Sequence, residues 1–212
     1  MSQRRRLLET ALRQDLTSFT ERCFQTVSPG LVYQGNWHVE VMAWYLQQIV
    51  DGKIKRLIIT LPPRHLKSTC TSVALPAFML GHDPSARVIC ASYGNELSLK
   101  HARDCRMVME SGWYKALFRR TRLDRAKLAL DEFTTTRGGF RLASSVGGAL
   151  TGRGGNIAIV DDPLKAADAM SEAERKRCIE WFTGTLFSRL DNKETDAIVV
   201  TMQRLHADDL VG

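Results

Sequence analysis

The sequence predicts an α/β fold in which a mostly parallel central sheet is flanked by helices, with an N-terminal helical segment over residues 1–52 packing on a core over 53–212. Short apolar runs at 56–60, 87–92, 157–160 and 197–202 read as buried strands. Stretches with helical apolar spacing lie between them, the alternation expected of strand and helix units. The residues richest in chemistry come directly after these strands: Lys67-Ser68-Thr69 behind the first and Asp161-Asp162 behind the third. Ligands of open α/β sheets gather beyond the carboxyl ends of the strands, so both groups fall where a site belongs.

The 212 residues suffice for one large domain or two small ones, and long apolar tracts are absent. Hydrophobic residues at 44% and charged residues at 25% are ordinary globular values. No run approaches membrane-spanning length, and no apolar core behind the N-terminal arginines makes a signal peptide, so a cytosolic protein is expected. Five scattered cysteines show no C-x-x-C pair for zinc, and their odd number argues against a disulfide framework. Buried thiols in a reducing compartment are expected instead. Thirty Lys and Arg against 23 Asp and Glu leave a net charge of +7. That balance suits a polyanion partner such as DNA.

In chain order, residues 2–27 carry Leu7, Leu8, Ala11, Leu12, Leu16 and Phe19 at helical spacing beside Arg4, Arg5, Arg6 and Arg13. This predicts a single surface helix whose basic face is either solvated or a specific nucleic-acid contact, broken at Ser28-Pro29-Gly30. Residues 37–50 form a strongly apolar helix closed by Asp51-Gly52. Core is the expected place of Trp37, Trp44 and Tyr45, whereas Trp37 or His38 could also lie against a nucleotide base. After Lys67 a helix runs to Pro76, which should kink or thin it. Asn95 reads as the N-cap of a helix from Glu96 to about Met109, and 113–118 as a short helix. Arg119–Lys127 is the densest basic cluster, either solvated surface or a set of phosphate contacts. Residues 128–144 read as a hairpin turning at Gly138-Gly139. The glycine-dense stretch 147–156 holds Arg153, a charge clamp beside the phosphate site or part of a plain link. Ser171-Glu172-Ala173-Glu174 is a capping box, opening a helix with Ile179, Phe182, Leu186 and Leu190 on one face.

The candidate chemistry lies in two motifs. Arg56–Thr69 reads as a strand, a short loop and a helix opening on Lys-Ser-Thr, the order in which a phosphate loop offers backbone N–H groups, a Lys for the outer phosphates and a hydroxyl for magnesium. Lys67 and Ser68, or Thr69, fit those roles. Leu61 and Leu66 stand where the motif wants Gly, so Leu66 implies a different loop path. The second motif, Ile157–Asp162, ends an apolar strand in two acids, which want a cation or solvent. Paired with the first it has the Walker B form, in which Asp161 holds the magnesium shell and Asp162 orients or deprotonates a water. Polar residues from Gln203 onward, directly after the last strand, either sense the γ-phosphate or cap a further helix.

Four segments together resemble the ATPase domain of the large terminase subunit of tailed bacteriophages. They are Leu61–Ser68, Ser92–Asn95 with Arg103 and Arg106, Thr151–Gly155 leading into Val160–Pro163, and Gln203–His206 with Asp208-Asp209-Leu210. The resemblance spans nearly the whole chain. It implies an additional-strand P-loop ATPase that uses ATP and Mg2+ to drive double-stranded DNA into a procapsid. By the same resemblance Pro63, Arg64, His65, Leu66, Lys67, Ser68 and Thr69 form the Walker A loop. Lys67 and Ser68 become phosphate and magnesium ligands, and Asp161 becomes the Walker B acid. Asp162 takes the catalytic carboxylate place, where many relatives have Glu. Arg64 resembles an arginine used within the subunit against the γ-phosphate, and Thr201, Met202, Gln203 and Arg204 a motif coupling hydrolysis to movement. Trp37 and His38 are candidates for the base. Arg153, Arg87 and the 119–125 cluster are candidates for an arginine supplied to a neighbour.

The implied partners are DNA, the portal protein, the small terminase subunit and further copies in a ring on the portal, with a monomer in isolation as the alternative. The implied location is the cytoplasm of an infected host, transiently the portal vertex. A large terminase also carries a C-terminal nuclease domain, and the chain stopping at Gly212 reads as an isolated ATPase domain that would not cleave DNA. Two other classes stay open: a helicase-like DNA-stimulated ATPase, and a basic docking module whose altered loop no longer hydrolyses.

Overall fold

The computed structural model describes residues 3–150 and 152–212. Ser2, at the start of the predicted first helix, and Thr151, in the glycine-rich stretch, lie outside the described residues. Helices α1 (Gln3–Gln14), α2 (Leu16–Val27) and α3 (Trp37–Val50) precede β1 (Arg56–Thr60). A π-helical turn (Thr69–Ala74) runs into α4 (Leu75–His82), followed by β2 (Arg87–Ser92), α5 (Asn95–Glu110) and α6 (Gly112–Leu117). Strands β3 (Leu123–Leu128), β4 (Glu132–Thr135), β5 (Phe140–Ser145) and β6 (Ile157–Asp161) come next, then α7 (Glu172–Trp181) and β7 (Ala197–Met202). No helix of the described residues is long and apolar enough to cross a membrane.

The strands form one sheet in the order β1-β7-β6-β2-β5-β4-β3. The first five run parallel; β4 and β3 are antiparallel additions at one edge, β4 closing the predicted hairpin with β5. Strand β7, last in sequence, is inserted between β1 and β6. The central strands read as continuous apolar runs because helices cover both faces. One face carries Val88, Cys90, Ile157, Ile159 and Val199 into a core shared with α2, α3 and α4. The other carries Ile89, Ala91, Ala158, Val160 and Val200 against Trp181, Leu186 and Leu190. Phe19 of α2 sits in the first core against Phe78 and Trp113, so the N-terminal helices share their apolar interior with the sheet. All five cysteines are free and buried.

Several local expectations are corrected. The single N-terminal helix is two, because the Asp15 carboxylate accepts from the N–H groups of Thr17 and Ser18 and so caps α2. The apolar spacing continues through this break and conceals it. Gly94 rather than Asn95 occupies the cap of α5. Beyond α7 the chain tightens and loosens through a π turn at Phe182–Leu186, which rotates the buried face: Cys178, Trp181, Leu186 and Leu190 are inside, while Ile179 is exposed. Trp37, Trp44 and Tyr45 are exposed on the outer side of α3, not in the core; Val39, Met42, Ala43, Leu46 and Ile49 fill its inner side.

Pro76 shapes the helix behind the 61–69 loop. A proline cannot donate to the carbonyl four residues back, here Ser72, and the helix responds with the π turn, in which Leu75 N donates to Cys70 O. The freed Ser72 carbonyl accepts from Arg141 Nη2 at 3.2 Å. Arg141, fully buried on β5, thereby ties the middle of the sheet to that helix.

Candidate active site

The two sequence motifs meet. Parallel pairing of β1, β7 and β6 places the ends of all three at one rim: Ile59 is level with Thr201, and Thr201 with Asp161. The 61–69 loop leaves β1 there and Asp161-Asp162 ends β6 there, so Lys67 Nζ lies 3.3 Å from Asp162 Oδ1. Lys67 is buried and also donates to the Leu61 carbonyl at 3.1 Å. Pro63, Arg64, Leu66, Lys67, Ser68, Thr69 and Asp162 line a cavity of about 370 Å³.

The loop carries two residues in a conformation usually left to glycine. Arg64 (φ 64°) and Leu66 (φ 60°) both sit in the left-handed region. Leu66 therefore takes a conformation for which glycine is favoured. A β-carbon there costs on the order of 1 kcal/mol, retained because Leu66 packs half-buried against the first core. Leu66→Gly is expected to leave the melting temperature within a few degrees, because relief of strain offsets lost packing. Leu66→Val, whose branched β-carbon resists positive φ, should lower stability by about 1–2 kcal/mol. Thermal unfolding of the two variants checks the pair.

Asp161 is fully buried, and burial drives its carboxyl up to about 6, with the neighbouring Asp162 charge adding to the rise. Hydrogen bonding from the hydroxyls of Ser72 and Ser68 and the charge of Lys67 act the other way. Ser72 Oγ donates to Asp161 Oδ2 at 2.7 Å. His101 Nδ1 lies 3.4 Å from the same oxygen. This contact is not an ion pair, because burial, then the charges of Arg141 and Lys100, push the imidazole down to about 3 and keep it neutral. Asp161 Oδ1 is left buried with no hydrogen-bond partner among the described residues. A hard divalent cation takes oxygen ligands of this kind. The orphaned Oδ1 and the Ser68 hydroxyl against the same carboxylate fit the predicted metal role for Ser68 and Asp161.

Asp162 is held from three sides. Its backbone N donates to Thr201 O at 2.8 Å and its carbonyl accepts from Tyr93 N at 3.0 Å. Its Oδ1, besides meeting Lys67, accepts from Gln203 N at 3.1 Å. Its φ is 45°, a region that aspartate tolerates better than longer side chains. Leu61 N donates to Met202 O, so the segment after β7 touches both motifs. Beyond it, the buried Asp209 carboxylate accepts from Leu205 N and His206 N and pairs with Arg204 Nε at 3.0 Å, folding 203–212 into a tight turn rather than a further helix. Burial opposes ionisation of Asp209, but these donors outweigh it and hold the carboxyl below its ordinary value.

His65 Nδ1 is 2.8 Å from Pro63 O, and its ring meets His38 edge-on at 5.2 Å, with Trp37 beside His38. The start of α3 thus borders the loop, while neither Trp37 nor His38 lines the cavity itself. Arg153 is elsewhere. The 147–156 loop runs back to the starting end of β6, and Arg153 pairs there with Glu132 at 2.6 Å. It does not lie beside Lys67 of its own chain. Arg87, at the start of β2, pairs with Asp191 at 2.6 Å. Ser72 and Arg141 were missed from sequence. Ser72, one helical turn after Ser68, was within reach of a spacing argument; nothing in the strand around Arg141 marks it as buried.

No protein-family model and no curated protein matches the sequence. Among solved structures, the chain is similar to the large terminase of bacteriophage HK97, with a TM-score of 0.59 at 14% identity over 94% of this chain and 39% of that one. The likeness is one of fold. The chain spans about two-fifths of that terminase's length.

Proposed function

We propose that the chain is the ATP-hydrolysing part of a phage large terminase, a motor that moves double-stranded DNA into a procapsid. The observation that carries this reading is the meeting at one rim of Lys67, Asp162 and the orphaned Asp161 Oδ1. The insertion of β7 between β1 and β6 supports the additional-strand class of P-loop ATPase. The shared fold with the HK97 terminase supports the packaging assignment.

In this reading the Lys67 ammonium binds the outer phosphates, and the N-terminal end of the helix behind the loop faces them. Ser68 and Asp161 hold magnesium, which supplies neutralisation of the polyphosphate charge. Ser72 fixes the orientation of Asp161 by donating to Oδ2, which leaves Oδ1 as the oxygen that would ligate a cation. Asp162 orients the attacking water and accepts its proton, and Arg64 adds positive charge at the γ-phosphate. Because Asp162 Oδ1 also holds Gln203 N, any change in its charge is felt directly by 201–204, the proposed coupling segment. His38 and Trp37 border the base. DNA, portal protein, small subunit and a ring of copies are the partners in this reading.

The test is magnesium-dependent ATP hydrolysis, with DNA present, together with the rise in melting temperature produced by a non-hydrolysable ATP analogue. Wild type should show both, and Lys67→Ala neither. An analogue that stabilises Lys67→Ala as much as wild type would remove the lysine, and with it the phosphate-loop reading, from the account.

A further inference from the structure

We propose that the edge of the sheet formed by β3, with the loop entering it, is the surface that grips the phosphate backbone of duplex DNA. This builds on the proposed DNA partner and assigns it to a face separate from the nucleotide cavity. Between residues 115 and 128 the chain carries six cations, Lys115, Arg119, Arg120, Arg122, Arg125 and Lys127, against one carboxylate, Asp124. All six are exposed, and none is ion-paired among the described residues, Arg122 donating only to the carbonyl of Thr121. Several arginines elsewhere are ion-paired within the chain, Arg87 with Asp191, Arg106 with Glu110, Arg153 with Glu132 and Arg204 with Asp209, so what sets the β3 cluster apart is its density. Asp124 forms no ion pair with these cations among the described residues, its Oδ1 accepting from Ala126 N, and its single charge leaves the stretch at +5.

The cations also converge. Lys115, Arg122 and Arg125 line a cavity of about 360 Å³ beside Tyr114 and Thr121, large enough to seat a phosphodiester group; the one carboxylate in the lining, Glu110, is paired with Arg106. Strand β3 is the outermost of seven, at the opposite edge from β1, on the order of 30 Å across the sheet from the loop at 61–69. Its neighbours in the ladder, β4 and then β5, lead directly to Arg141 and the Ser72 carbonyl behind the nucleotide cavity. Exposed charge on an edge strand also deters pairing with other strands. That role needs only a few scattered charges and would leave DNA affinity untouched when they are removed. A row of unpaired cations around a concave seat matches a polyanion with regularly spaced phosphates, whose binding is electrostatic and independent of sequence.

The experiment is fluorescence anisotropy of a labelled 30-base-pair duplex with the full chain, without nucleotide, over a range of salt concentrations. Arg122→Ala/Arg125→Ala/Lys127→Ala should weaken binding at least about tenfold at low salt and make the logarithmic salt slope shallower by about 3. The single reversal Arg125→Glu should act in the same direction. Arg4→Ala/Arg6→Ala/Arg13→Ala, in the other basic cluster, should change affinity less than threefold. Failure of wild type to bind duplex, an unchanged slope in the β3 variant, a larger loss in the α1 variant, or equal competition by poly-glutamate would each overturn the assignment. Lys67→Ala should bind duplex like wild type, so a failure of the ATPase reading leaves this measurement intact and separable.

Discussion

Asp162→Asn is expected to lower ATP turnover at least about a hundredfold, the usual worth of a positioned base, while ATP binding holds or strengthens. The carbonyl of asparagine can still accept from Gln203 N, so the turn after β6 and its link to 201–204 persist. What disappears is the negative charge 3.3 Å from Lys67. Releasing the lysine from that pair leaves it more available to phosphate, so the loss appears in kcat with KM unchanged or lower. Asp162→Glu restores the charge but places a longer side chain at φ 45°. It should recover part of the turnover at a cost in stability of about 1 kcal/mol. Steady-state hydrolysis with analogue binding by calorimetry separates these effects. Equal turnover in wild type and Asp162→Asn would end the assignment of Asp162 as the base.

Asp161→Asn should do two things that seldom occur together: abolish magnesium-dependent hydrolysis and stabilise the protein. The folded protein raises this carboxyl from 3.8 to about 6. A raised acid favours folding while it is protonated, fully below about pH 4, and loses that contribution as pH rises through about 6. At pH 7.5 the ionised, buried carboxylate therefore costs on the order of 3 kcal/mol relative to an unperturbed group. Asparagine removes the charge and can keep the bond from Ser72 Oγ. The melting temperature at pH 7.5 should then exceed that of wild type by roughly 6–12 °C, and the gap should narrow at pH 5, where the wild-type carboxyl is mostly protonated. Magnesium with the ATP analogue should stabilise wild type and leave Asp161→Asn unmoved. An asparagine variant that melts below wild type at pH 7.5 would show that the burial cost is met elsewhere.

Both residues were legible in the sequence, because two acids behind an apolar strand are costly unless something binds them. Lys67 and Ser68 were legible for a similar reason, as polar residues opening a helix behind another apolar strand. Strands β2, β6 and β7 announced their burial through unbroken apolar runs, whereas β1, expected to be buried, lies at the sheet edge with no buried residue, because strand order is not written in a local apolar run. Boundaries inside helices were less legible: the cap at Asp15 and the π turns before Pro76 and after Trp181 leave the apolar spacing almost unchanged, and periodicity is blind to a local change in hydrogen-bond step. Arg141 was invisible because alternation in Phe140-Arg141-Leu142 reads as a half-exposed strand. The acceptor its guanidinium finds is the Ser72 carbonyl, 69 positions earlier in the chain, left without its helical donor by Pro76.

Sequence alone determined most of the strands and helices and which side chains carry charge at their ends, since those follow from local apolar pattern and backbone chemistry; β3, read only as part of a basic cluster, was not among them. Only the tertiary structure decided that β7 slips between β1 and β6, and that Asp162 bridges Lys67 to Gln203. It also decided that Arg153 belongs to the far rim and that the cations around β3 stay unpaired. Strand order and ion pairing depend on contacts between residues distant in the chain, and no local pattern encodes which distant partner a strand or a charge will meet.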